Sequence, residues 1–179
     1  DAGRGPVIGP MVLAGCLMQE ELTNKWKKAG IKDSKQVKKQ KREELGKKIK
    51  EEAVAYHISI TPPSEIDARL KSGMNLNRLE ALKAAEIINN INLLHRHEKI
   101  KVIVDCPSVN TVTWKKMLIK FLMHSKNLDI HCEHKADFNY PVVSAASILA
   151  KVTRDNEIKI DTAEQLFASL SSIGKGGMF

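Results

Sequence analysis

The first ten residues, Asp1-Ala2-Gly3-Arg4-Gly5-Pro6-Val7-Ile8-Gly9-Pro10, place one carboxylate and one guanidinium among three glycines and two prolines. Glycine admits positive φ and lets a ligand touch the main chain, whereas proline fixes φ and removes an N–H donor. The path of such a stretch is therefore both unusual and stiff. Two readings fit it. One is a tight turn that leads into Met11-Val12-Leu13-Ala14-Gly15-Cys16, an apolar run of strand length. The other is a backbone surface built for close approach by a ligand.

A chain of 179 residues is most simply one domain that buries a core without disulfide or metal staples. Aromatic residues make up 4%, so that core is aliphatic. Cys16, Cys106 and Cys132 are far apart, odd in number and free of any Cys-x-x-Cys spacing, so neither a disulfide framework nor a structural zinc is indicated. A reduced, cytoplasmic compartment is expected. No apolar run has the length of a membrane span, and no signal peptide is visible.

The net charge of +8 is unevenly spread. Twelve Lys or Arg against Asp33, Glu43 and Glu44 lie between Lys25 and Lys50, which leaves the remainder near neutral. A local basic field suits a polyanion and makes its binding salt-dependent, although charge runs on helices are usually just solvated faces. Within this segment Val37, Lys41, Leu45 and Ile49 recur every four residues and predict a helix over about 36–52. Val54, Tyr56, Ile58 and Ile60 alternate as in a half-buried strand. Ser64 and Asp67 have the spacing of a capping arrangement before a short helix, and the leucines and isoleucines from Leu76 to Leu94 predict a longer one. The second half then alternates: a strand from Ile100 ending at Asp105, a helix around Trp114 and Leu118, a strand from Leu128 to Glu133, and a helix opened by Pro141 and running to about 158. Asp161 and Glu164 resemble a second capping box, opening a further helix. This order predicts a mixed sheet flanked by helices.

Four segments, in order, carry a resemblance: the opening decapeptide, Asp33-Ser34-Lys35, Asp105, and the stretch from His134-Lys135-Ala136-Asp137 through Tyr140-Pro141-Val142-Val143-Ser144-Ala145-Ala146-Ser147 to Ala150-Lys151-Val152-Thr153-Arg154-Asp155. The chain resembles the type 2 ribonucleases H, the ribonuclease HII family, over residues 1 to about 158. The resemblance implies an α/β fold with a ribonuclease H-like mixed five-stranded sheet flanked by helices. It implies a catalytic domain over 1–158, with 159–179 starting a C-terminal helical extension. The implied activity is an endonuclease that hydrolyses the RNA strand of RNA/DNA hybrids, and DNA duplex at embedded ribonucleotides, leaving 3′-hydroxyl and 5′-phosphate ends. Its partners would be those nucleic acids, with no membrane, and the expected state is a monomer.

On this resemblance Asp1, Asp105 and Asp137 are the catalytic, metal-binding residues. Each lies between an apolar run and a loop, and carboxylates distant in sequence can meet beyond the carboxyl ends of sheet strands. Oxygen ligands without a set of histidines favour Mg²⁺ or Mn²⁺, and a pair of such ions can activate water and stabilise the leaving oxygen. The family has Asp-Glu ahead of Ala-Gly-Arg-Gly and a strand before that, where this chain has Asp1 alone. Either Asp1 stands in the Glu position or the Glu is absent. Gly3, Arg4 and Gly5 resemble the element that meets the ribonucleotide 2′-hydroxyl, the group that separates RNA from DNA at one site. Ser34, Lys35, Ser147 and Lys151 are further substrate-binding candidates, as phosphate contacts that position a strand without reading it.

Three alternatives compete. His131, Cys132 and His134 are close in sequence, but on a strand His131 and His134 face opposite ways, which disfavours zinc, and His134 is expected to support the acidic site. A hybrid-binding protein of the same fold with an impaired metal site would explain the single acid at residue 1. It would also fit the Ile173-Gly174-Lys175-Gly176-Gly177-Met178-Phe179 end, which carries no Tyr where the family has Gly-Tyr-Pro. An actin-like nucleotide phosphohydrolase is the remote alternative, as no Lys-Ser/Thr phosphate loop is present.

Overall fold

A strand buried on both faces reads as a nearly continuous apolar run, and β1, Met11–Leu17, is such a strand. Its even-numbered side chains Ala14 and Cys16 pack with Trp26, Leu45, Ile49, Ala145, Ile148 and Leu149. Its odd-numbered Met11 and Leu13 pack with Leu79 and Ile87. The computed structural model, which describes residues 2–3, 9–31 and 37–174 with side chains to 165, builds the rest around this strand.

Helices α1 (Leu22–Lys28) and α2 (Lys39–Glu52) follow, then β2 (Ala55–Thr61), α3 (Pro63–Lys71) and α4 (Leu76–Asn92). Asn75 caps α4 by accepting the Arg78 amide at 2.9 Å, a contact typical of helix N-termini. The second half supplies β3 (Ile100–Asp105), α5 (Thr111–Lys120), β4 (Leu128–Glu133), α6 (Ala136–Asn139) and α7 (Pro141–Gly174). β1 and β2 are antiparallel, with Met11 opposite Thr61 and Leu17 opposite Ala55. β3 and β4 are parallel, from Ile100 opposite Leu128 to Asp105 opposite Glu133.

Helix α4 straddles both pairs: Leu79 and Ile87 lie on β1, while Ala81 and Ala85 join Trp114, Leu118 and Ile130 under the other pair. Helices α2 and α7 cover the opposite face of β1. The result is a mixed α/β fold with strands held between helical layers.

The described residues carry four strands in two pairs, β1 with β2 and β3 with β4, within the mixed α/β architecture that was expected. A cavity of about 820 Å³ lies between β1 and β3, and no described strand fills it. In β2 the buried side chains are Ser59 and Thr61, whereas Tyr56 and Ile60, and Val54 just ahead of the strand, are exposed. α4 covers the odd-numbered face, and of the even-numbered residues only Ile58 lies under the α2/α7 layer. Finally, α7 runs without interruption through Asp161. Residues 158–165 contain no Gly or Pro to stop it, and Thr162 donates back to the Ile158 carbonyl at 2.7 Å inside the helix. The Ser64 capping arrangement is also replaced: α3 starts on Pro63 with no side-chain cap, because proline is pre-organised for a first helical turn.

Candidate active site

β3 ends on Asp105, and the chain next returns to this end of the sheet through β4. Beyond Glu133 the main chain must turn sharply, which it does at Lys135 with φ 56°, a left-handed conformation that is costly for a residue with a side chain. That turn aims the Ala136 amide at Asp105, whose Oδ1 accepts it at 3.1 Å. Asp137 comes next in α6 and is buried at 6% exposure. Asp105 and Asp137 thus line one cleft, together with Ser147 of α7 and Glu80 of α4. Tyr140 at its rim donates to Glu133 at 3.1 Å, and this hydrogen bond holds its phenol above the usual range.

Glu80 escapes a sequence reading because it falls on the apolar face of α4, beside Leu79 and Ala81, where a carboxylate is unexpected. It is buried at 2% exposure. An acid interrupting an apolar helical face was the available signal.

The glycine-rich segment is fastened at both described ends. Ala2 and Val12 exchange two main-chain hydrogen bonds of 2.9 Å. Gly3 has φ +93°, and a Cβ there would lie 2.5 Å from Arg154 Nε and 2.6 Å from the Pro10 carbonyl oxygen. Arg154 Nε itself donates to that carbonyl at 3.1 Å. Arg154 of α7 therefore ties the close of the segment to the helix that carries Ser147. Only a glycine fits at position 3.

Of the remaining candidates, Ser147 is buried and Lys151 stands one turn further along α7, so the two share a face. Asp1, Arg4, Gly5, Ser34 and Lys35 lie outside the described residues. Among the described residues no three His, Cys, Asp or Glu side chains gather closely enough to hold a metal ion. His131 pairs with Asp129 at 2.8 Å, an interaction that lowers the Asp129 pKa, and His134 is exposed.

The basic segment divides its charges. Lys48 and Lys25 hold Glu52 at 2.7 and 2.9 Å, Trp26 Nε1 donates to its other oxygen at 2.7 Å, and Arg42 reaches Asp155 of α7 at 3.5 Å. These hydrogen bonds, from Lys48 foremost and then Lys25, bring the Glu52 pKa down to about 2. Lys38, Lys39, Lys41 and Lys47 remain on the exposed surface.

The fold matches the crystal structure of the ribonuclease H2 from Pyrococcus horikoshii OT3 with a TM-score of 0.78 at 35% identity, covering 92% of this chain and 74% of that one. It also matches the ribonuclease HII in the PCNA:RNase HII complex from Archaeoglobus fulgidus, with a TM-score of 0.77 at 32% identity over 91% of this chain and 73% of that one. Helices flanking a mixed sheet, with carboxylates at the end of β3, thus define the ribonuclease H fold. The Ribonuclease HII family model matches residues 1–177, and the Ribonuclease HII of Methanococcus maripaludis strain C6 is 42% identical over 98% of this chain and 70% of its own length. This chain belongs to the ribonuclease HII family, whose members are endoribonucleases.

Proposed function

We propose that the protein cuts the RNA strand of RNA/DNA hybrids, and duplex DNA at embedded ribonucleotides, by divalent-metal-dependent phosphodiester hydrolysis within residues 1–158. The observation that carries this reading is the cleft in which Asp105 and Asp137 meet, joined through the Ala136 amide. The donor chemistry suits a hard cation. Two carboxylates, one using a single oxygen for its internal hydrogen bond, leave oxygen ligands free, and Mg²⁺ commonly takes one or two protein carboxylates with substrate phosphate completing its shell. Asp105 and Asp137, with Asp1, would hold Mg²⁺ or Mn²⁺, which when bound supplies the Lewis acidity that activates water and neutralises the scissile phosphate.

The chain's own groups do the rest. The Ala136 amide fixes the rotamer of Asp105, so the carboxylate is presented without reorganisation. Gly3, Arg4 and Gly5 meet the ribose edge, where the absence of Cβ lets the sugar approach the main chain. Arg4, Ser34, Lys35, Ser147 and Lys151 position phosphates, and Lys38, Lys39 and Lys41 of the basic segment add affinity without sequence preference. Residues from 159 onward extend the catalytic domain toward a helical C-terminal part.

The test is Asp105→Asn, which keeps the shape and removes the charge. Cleavage of a labelled RNA/DNA hybrid in Mg²⁺ should fall by at least about 10³-fold, the scale of losing a transition-state charge stabiliser, while hybrid binding in a gel-shift assay changes little. Retained Mg²⁺-dependent turnover would remove Asp105 from the mechanism.

A further inference from the structure

Asp137 rides on the shortest helix of the described residues. α6 has four residues, Ala136–Asn139, too few to be stable by their own hydrogen bonds, and the chain enters it through Lys135 in a left-handed conformation with φ 56°. A strained residue of this kind persists only where its surroundings over-determine it. The fixing points lie at the two ends of the turn. On the entry side the Glu133 carbonyl accepts the Cys106 amide at 2.8 Å, which ties the last residue of β4 to the chain just beyond Asp105. On the exit side the Tyr140 N–H donates to the Ala136 carbonyl at 2.9 Å, and the Tyr140 carbonyl accepts the Val143 and Ser144 amides at 3.0 Å each, at the start of α7.

One side-chain contact joins those ends. Tyr140 Oη donates to Glu133 Oε1 at 3.1 Å, seven positions apart in sequence, and so closes residues 133–140 into a loop that contains Lys135, Ala136 and Asp137. Both side chains are partly exposed, where water could satisfy either, so burial does not require the pair. Glu133 is also the register partner of Asp105, and partners on adjacent strands project to the same side of a sheet. Two carboxylates so placed repel and compete for the same donors. Giving Glu133 the phenol leaves the Ala136 amide to Asp105, which accepts it at 3.1 Å.

We propose that, on the nuclease reading above, Glu133 and Tyr140 are positioning residues: their hydrogen bond clamps the turn so that Asp137 and the Ala136 amide are held against Asp105. They act through the carboxylate pair and need no contact with the phosphodiester. Partners that orient metal-binding carboxylates commonly matter almost as much as the carboxylates themselves, because they fix the ligands before the ion arrives. A looser turn keeps both acids in the cleft but out of alignment. Turnover then falls more than substrate affinity, since misplacement of the reacting groups acts on the chemical step while the phosphate contacts come from other elements.

The experiment compares Tyr140→Phe, Glu133→Ala and Glu133→Gln. The first keeps the aromatic ring, over which Lys101 Nζ stands 6.0 Å from the centroid, and removes only Oη; the last keeps an amide oxygen that can accept. Amide hydrogen exchange is followed at Ala136, with Ala53, whose N–H is bonded to the Ile49 carbonyl at the end of α2, as the reference. Affinity for Mn²⁺ alone is measured by water-proton relaxation, and kcat and KM on a labelled hybrid. Tyr140→Phe and Glu133→Ala should each speed exchange at Ala136 by at least about tenfold, the scale of one hydrogen bond to a charged acceptor, and leave Ala53 unchanged. Each should weaken Mn²⁺ binding by at least about tenfold and lower kcat by at least about tenfold with KM within about twofold. The double variant should be no worse than either single one, and Glu133→Gln should recover most of what Glu133→Ala loses. Unaltered Ala136 exchange or unaltered Mn²⁺ affinity in Tyr140→Phe overturns the proposal. So does equal acceleration at Ala53, which would make the pair a general stabiliser, and so does a Glu133→Gln protein as impaired as Glu133→Ala. If Tyr140→Phe does not fold, the comparison of the two Glu133 variants makes the same decision. Exchange and Mn²⁺ binding read the clamp without substrate, while hybrid cleavage by the unaltered chain tests the nuclease reading separately.

Discussion

Replacing Gly3 with alanine tests how the glycine-rich segment is held. The new Cβ would sit 2.5 Å from Arg154 Nε and 2.6 Å from the Pro10 carbonyl oxygen, on a backbone with φ +93°. The left-handed conformation costs a side-chain-bearing residue about 1–2 kcal/mol. Relief of the clash requires either the segment to lift from α7 or Arg154 to retreat, and both break the 3.1 Å Arg154–Pro10 hydrogen bond. A hydrogen bond from a charged donor contributes about 1.5–3 kcal/mol, so Gly3→Ala should cost about 2.5–5 kcal/mol in total. Arg154→Ala alone loses about 1.5–3 kcal/mol on the same basis. In the double variant that bond is broken only once, so the combined effect should fall short of the sum by about 1.5 kcal/mol or more. Urea unfolding followed by the emission of Trp26 and Trp114, both buried, measures all three. Additivity within about 0.5 kcal/mol, the range for independent sites, would show that Arg154 does not hold this segment. Hybrid cleavage by the same variants, under conditions where each is folded, should fall in the same order.

Other consequences arise from the packing and charge. Glu52 has its pKa lowered from 4.5 to about 2 by Lys48, Lys25 and Trp26, so its contribution is complete above pH 4.5 and is lost as pH falls toward 2. Glu52→Gln should cost about 1–2 kcal/mol at pH 7, discounted for the exposure of its lysine partners, and should flatten the stability profile between pH 4.5 and 2; an unchanged profile would show that the network adds nothing. At Gly15 a Cβ would meet Ile87 Cγ2 at 2.6 Å, so Gly15→Ala should lose about 1–3 kcal/mol by overpacking, and an unshifted urea midpoint would reveal slack between β1 and α4. Neutralising Lys35, Lys38, Lys39 and Lys41 together should flatten the dependence of log hybrid affinity on log salt by up to about 0.9 for each phosphate no longer paired with a lysine. A constant slope would make these lysines solvated charges only.

Much of this molecule was legible in its residues. The apolar run from Ile100 marked a strand and its end at Asp105, although β3 is only partly buried, and Pro141 marked the start of α7 because its fixed φ and missing N–H suit a first helical turn. The catalytic candidates came from motif resemblance, and Asp105 and Asp137 meet in one cleft. Local pattern failed where it was neutral between contexts. Asp161 and Glu164 have the spacing of a cap, yet the same residues continue a helix when nothing breaks it. The alternation in β2 identified a strand but not its covered face, since α4, placed by distant sequence, decides which side is buried. Tertiary structure alone brought Glu80 into the cleft, set Lys135 in a left-handed turn so that the Ala136 amide reaches Asp105, and laid Arg154 against Gly3. Each of these joins residues distant in sequence or fixes a backbone angle that the turn geometry imposes. Periodicity records what a segment can bury, whereas the partner that buries it is chosen by the packing of the whole chain.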